Sequence, residues 1–207
     1  LGPHGRVLVR HLNLSSISEL DGYAVSVVSA PETGQNRVYE GPGGRQLWTV
    51  VPGGLKEFKA GTWMLHPVQE IAAEFDAGAP RSTHPVPLYP FRQDRVLFLL
   101  RDRLMEFNGE NPDQPRTAVL QAASQTRLET FSSMAVARDG GLWIAGARGL
   151  ARVPGPVENL KPGSPWQQYV PPLSLQLQNL QEPNEDEEGG VTLVAESSSN
   201  GQKMVVH

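Results

Sequence analysis

The sequence contains no cysteine, which excludes disulfides, zinc-thiolate centres and thiol nucleophiles together. It has no excess of positive charge, because 18 Lys and Arg stand against 22 Asp and Glu and the basic residues are scattered. Nucleic acid and anionic membrane surfaces, which need a basic stripe, are therefore not expected partners. No run of about 18 apolar residues occurs, so direct membrane insertion by this segment is not expected either. The N-terminus shows neither an initiator Met nor a charged-then-apolar leader, and the chain stops inside the apolar run "KMVVH". These ends read as those of a segment of a longer polypeptide.

What the sequence does have is turn residues. Gly (21) and Pro (18) are spread along 207 residues of which 39% are hydrophobic, a pattern of many short elements around a sizeable core. Three stretches align without a gap: "LWTVVPGGLKEF" at 47–58, "VLFLLRDRLMEF" at 96–107 and "LWIAGARGLARV" at 142–153. In each, an anchor (Trp48, Leu97 or Trp143) precedes a Leu (Leu55, Leu104 or Leu150) by seven residues. A looser copy places Leu193 at the anchor and Met204 after a longer turn, so the anchors recur at intervals of 49, 46 and 50 residues.

Apolar β-formers on both sides of a short turn make each copy a β-hairpin. The segments that follow, "GTWMLHPV" at 61–68 and "PWQQYVPP" at 165–172, supply an outer strand, with Trp63 and Trp166 at corresponding places. "YAVSVVSA" at 23–30 and "SSMAVARD" at 132–139 supply an inner strand. Four antiparallel strands at such a period predict an all-β chain forming part of a β-propeller, with about three and a half to four blades near 23–68, 86–122, 132–172 and 173–207. A β-sandwich also has short strands and many turns, but gives no reason for the spacing to recur. "PVQEIAAEFDAG" at 67–78 departs from the pattern, with Val68, Ile71, Ala72 and Phe75 at helical spacing, and predicts a short helical turn between blades.

"SSMAVARDGGLWIAGARGLARV", at 132–153, resembles the two-component-regulator propeller repeat: a strand ending in Asp, a Gly turn, Leu-Trp-Ile, a small residue, then Arg-Gly-Leu. The copy at 96–107 departs from it, with Leu97 where Trp is usual and Arg103 where Gly is usual. The resemblance implies the ligand-sensing region of a bacterial two-component receptor, periplasmic or extracellular, with downstream domains on the same longer chain. It also implies a small-molecule or oligosaccharide ligand. No phosphoacceptor helix, ATP-binding glycine box or receiver motif is found. A secreted or surface propeller used as a binding module, or a propeller polysaccharide lyase or hydrolase, are the alternatives.

The candidate site residues are weighed against plainer roles. Trp48, Trp63, Trp143 and Trp166 have faces suited to sugar rings, but their repeated positions mark them as scaffold. Gly54 and Gly149 share the slot before the second hairpin strand, where positive φ is expected. "GPGGR" at 41–45 lacks the Lys-Ser/Thr of a phosphate loop. The acidic run "EPNEDEEGG" at 182–190 does not match a calcium loop and reads as solvated. His4, His11, His66, His84 and His207 show no metal-binding spacing. No nucleophile elbow appears, so no catalytic residue, metal or cofactor is expected. One ligand pocket is conceivable, in "STHPVPLYPFRQD", where His84, Tyr89 and Arg92 would line it.

Overall fold

The computed structural model describes residues 7–11, 16–30, 37–44, 46–76 and 86–207. The chain divides into two compact units, residues 1–96 with 107–117 and residues 97–106 with 118–207. The described residues form five antiparallel sheets, in each of which the strands lie side by side in chain order.

The first unit opens with β1 (Val7–His11), β2 (Ser16–Leu20) and β3 (Val25–Ser29), a three-stranded sheet. Residues 23–30 were expected as the inner strand of the sheet that holds Trp48. They belong instead to this separate sheet, because Asp21 and Gly22 close a tight turn that pairs β3 with β2. The Asp21 carboxylate accepts the N–H groups of Tyr23 and Ala24, and Gly22 takes a φ of 95°. A local hairpin thus replaces the more distant pairing.

The sheet around Trp48 consists of β4 (Tyr39–Glu40), β5 (Leu47–Val51), β6 (Gly54–Lys59) and β7 (Thr62–Pro67), with the two-residue β4 in the inner position. The pleat sorts its side chains cleanly. Register pairs Tyr39 with Trp48 and Trp48 with Glu57, and His66 with Leu55, so one face carries Tyr39, Trp48, Val50, Leu55, Glu57 and His66. The opposite face carries Phe58 and Trp63, whose rings lie 5.3 Å apart, and the Trp63 indole N–H donates to the Ser29 carbonyl of β3 at 2.6 Å. The helical spacing at 67–78 is realised as α1 (Gln69–Asp76), which buries Ile71.

β8 (Leu88–Arg92), β9 (Arg95–Leu99), β10 (Arg103–Asn108) and β11 (Arg116–Ala122) form a four-stranded sheet. In the second unit β12 (Phe131–Val136), β13 (Leu142–Gly146), β14 (Leu150–Val153) and β15 (Gln167–Tyr169) form another four-stranded sheet. A three-stranded one follows, made of β16 (Leu177–Glu185), β17 (Val191–Ser197) and β18 (Lys203–Val206). The anchors pack as the repeat demands: Trp143, Ala145 and Leu150 join Leu180, Leu193 and Ala195 in one buried cluster between these two sheets.

The shared glycine slot is only half as expected. Gly54 has φ 143°, whereas Gly149 does not have positive φ. What the two have in common is closeness to the next strand. A Cβ on Gly54 would meet the His66 carbonyl oxygen at 2.3 Å, and one on Gly149 would meet that of Tyr169 at 2.5 Å. The acidic run is likewise not merely a solvated loop, since Glu182–Glu185 belong to β16 and only the rest forms a turn. No described helix is long and apolar enough to cross a membrane.

Candidate functional site

Among the described residues, the richest concentration of chemical groups lies on the Trp48 face of the β4–β7 sheet. Strand alternation sends Glu57 to the same face as Leu55, so a carboxyl group enters an apolar layer with only 2% of its side chain exposed. Burial of such a group demands partners. Gln46 Nε2 donates to Glu57 Oε1 at 2.7 Å, and His66 Nε2 lies 2.9 Å from Glu57 Oε2. The His66 ring stacks on Trp48, centroids 5.5 Å apart, and also meets Phe107 at 5.1 Å.

The network continues to the turn between β8 and β9. Asp94, held at φ 59°, presents Oδ1 to Gln46 Nε2 at 2.9 Å and to the Lys59 ammonium at 2.8 Å. That hydrogen bond to Asp94, with the nearby charges of Glu57 and Asp94 adding to it and partial burial opposing it, raises the Lys59 pKa above its ordinary value. The cluster thus grades from half-exposed Lys59, through Asp94 and Gln46, to buried Glu57 and then His66. His66 and Glu57 are an acid–base pair, but no nucleophile is hydrogen-bonded to them, and no group of three metal-ligating side chains occurs among the described residues.

Beside this cluster, where β7 runs into α1, a cleft of about 180 Å³ is lined by residues that include Pro67, Val68, Glu70, Phe107, Pro115 and Thr117. Thr117 Oγ1 donates to Glu70 Oε1 at 3.0 Å. This volume is below the roughly 300–1,000 Å³ of clefts that enclose drug-sized ligands. It suits one small group rather than an extended one.

The second unit concentrates its polar groups around Trp143. The indole N–H donates to Glu185 Oε2 at 3.0 Å, which also accepts the Arg138 N–H at 3.0 Å. Arg152 lies over the indole, 5.2 Å from its centroid, and pairs with Asp139. The Asp139 carboxyl is held below its ordinary pKa, chiefly by the Gly141 N–H and then by Arg152. This arrangement fixes the anchor and ties the β12–β15 sheet to the β16–β18 sheet.

Of the pocket expected at 84–92, His84 lies outside the described residues. Tyr89 is half-buried and Arg92 exposed, and they stand three positions apart on one strand, which sends their side chains to opposite faces. His4 is also outside the described residues. Sequence reasoning missed Glu57, Gln46 and Asp94. The signal for Glu57 was present, since a carboxyl two residues after the Leu55 of a hairpin must share its inward face.

Compared with solved structures, the chain resembles the extracellular domain of BT3049, assigned as a hybrid two component system of B. thetaiotaomicron. The TM-score is 0.51, at 12% identity over 97% of this chain and 27% of that one. It shares that fold. The same degree of likeness, TM-score 0.51 at 11% identity, links 98% of this chain to 44% of dihydro-heme d1 dehydrogenase NirN, solved in complex with DHE. The chain therefore spans less than half the length of either neighbour. The first neighbour agrees with the repeat resemblance read at 132–153. No family model matches the chain, and no curated protein matches it.

Proposed function

We propose that this chain is a segment of a β-propeller that forms the ligand-sensing, extracytoplasmic region of a two-component signalling receptor. The observation that carries the reading is the agreement of two independent features. One is the recurrence of sequentially ordered antiparallel sheets, with the anchors Trp143 and Leu193 buried together between two of them. The other is a fold shared with the extracellular part of a two component system. A fold by itself does not choose between a sensor and an enzyme, as the likeness to NirN illustrates. The repeat at 132–153 favours the sensor.

The exposed apolar face of the β1–β3 sheet, where Val7, Leu20 and Val25 form one cross-strand rung and Val9 and Val27 flank Ser18 in the next, suits coverage by a further blade. In such a receptor the sheets are a rigid frame that presents loops to a small molecule or oligosaccharide. Ligand shifts the output only by binding one arrangement of the frame and the downstream domains more tightly than the other.

The test is a thermal-shift screen of the protein against mono- and oligosaccharides. Stabilisation that saturates with concentration, without turnover of the ligand, supports the sensor reading. Appearance of product from a polysaccharide would replace it with the enzyme reading.

A further inference from the structure

Three polar atoms closed off from solvent share one face of the β4–β7 sheet. Tyr39 and Trp48 are cross-strand partners, and Gln46 precedes Trp48 by two residues on the same side of the pleat. Tyr39 Oη, Trp48 Nε1 and Gln46 Oε1 are each buried without a hydrogen-bond partner among the described residues. Trp48 is fully buried and Gln46 is 4% exposed.

The orientation of the Gln46 amide is not arbitrary. Its Nε2 donates to both Glu57 Oε1 and Asp94 Oδ1, and turning the amide over would aim its oxygen at two acceptors. Gln46 Oε1 is therefore fixed as a buried acceptor. The indole N–H only donates, the amide oxygen only accepts, and the phenol does both. Buried groups of this kind are, in the great majority of proteins, satisfied by protein or by ordered water.

The surroundings decide what satisfies them here. An anion is disfavoured by the carboxyl groups of Glu57 and Asp94 at the same face, and the cation they attract is already supplied by Lys59. What remains is a neutral molecule that donates and accepts hydrogen bonds. We propose that this face is a binding site for buried water, held by the Trp48 indole N–H, the Gln46 amide oxygen and the Tyr39 hydroxyl. The bound water completes the polar layer that Glu57 begins, and it acts as a fixed part of the sheet rather than as an exchanging ligand.

Tyr39→Phe tests this because it deletes one oxygen and little else. With water bound, the variant loses a hydrogen bond and the melting temperature of the 207-residue chain falls by roughly 2–4 °C. An unchanged or higher melting temperature, the mark of a hydroxyl relieved of an unpaired burial, would overturn the proposal. Trp48 is read without mutation: its indole N–H should show a long-lived cross-peak to water in nuclear Overhauser spectra of protein dialysed into plain phosphate buffer. Absence of that peak would also overturn it. Protein unfolded in urea and refolded in the same buffer should regain the peak and the melting temperature. Failure to do so would assign the site to a co-purified hydroxylated compound and overturn the assignment to water.

Discussion

His66 Nε2 and Glu57 Oε2 lie 2.9 Å apart while the His66 ring stacks on Trp48, so one side chain serves a buried carboxyl group and an aromatic layer at once. His66→Ala removes both contacts and leaves Glu57 with Gln46 as its nearest partner. The expected loss is about 1–3 kcal/mol, the cost of leaving a buried polar group short of a partner. His66→Gln, which keeps a donor, should lose clearly less. Urea denaturation of the two variants checks the order, and an alanine variant within 0.5 kcal/mol of the parent, roughly the scatter of a neutral surface change, would contradict it.

Gly54→Ala and Gly149→Ala should each destabilise by about 1–3 kcal/mol, since a methyl group at either place runs into the carbonyl oxygen of the neighbouring strand. Gly53→Ala is the control. Its Cβ would meet only the Leu65 side chain at 3.9 Å, an ordinary contact, so its unfolding curve should overlay the parent's. Equal effects at all three sites would remove the close-approach explanation.

These glycines show where sequence reading reached and where it stopped. The hairpins at 47–58, 96–107 and 142–153 were legible because period-2 alternation and a recurring anchor are local signals, and the structure gives strands at each. The slot at Gly54 and Gly149 was legible as special, but the positive φ expected of both holds only at Gly54. Positive φ is a property of one residue, whereas a clash with Tyr169 depends on how closely β15 approaches β14. The β1–β3 sheet was missed because "VLVRH" and "SISEL" repeat no anchor, and the Asp21-Gly22 turn announces only the pairing of β2 with β3. The Gln46–Glu57–Asp94 network was out of reach because its members stand up to 48 residues apart.

Trp143→Ala should destabilise by roughly 3–5 kcal/mol, because the indole is 7% exposed, fills the cluster with Leu193 and donates to Glu185. Glu187→Ala, on the exposed turn two residues beyond Glu185, should be nearly silent. Matching melting curves for the parent and Trp143→Ala would remove the anchor role.

The Lys59–Asp94 pair sets a pH dependence at the alkaline end. The folded state holds the Lys59 proton more tightly than the unfolded chain does, so the pair's contribution is fully present below the ordinary lysine value of 10.5 and is lost as pH rises through the higher folded value. Because the Lys59 side chain is 37% exposed, the contribution belongs with surface pairs, at most about 1 kcal/mol. The stability difference between the parent and Lys59→Met should be constant from neutral pH to about 10 and should shrink above that. Asp139 behaves in the opposite sense. Its carboxyl is held below 3.8, so its contribution is present above that value and is lost as pH falls through the folded one.

The proposed place of this chain in the sensing region of a longer, membrane-attached receptor is tested most directly by immunoblotting membrane, periplasmic and soluble fractions of the native source with an antibody raised against these 207 residues. A membrane-associated species several times heavier than the 22.6 kDa of this chain is expected. A soluble species at 22.6 kDa would contradict it.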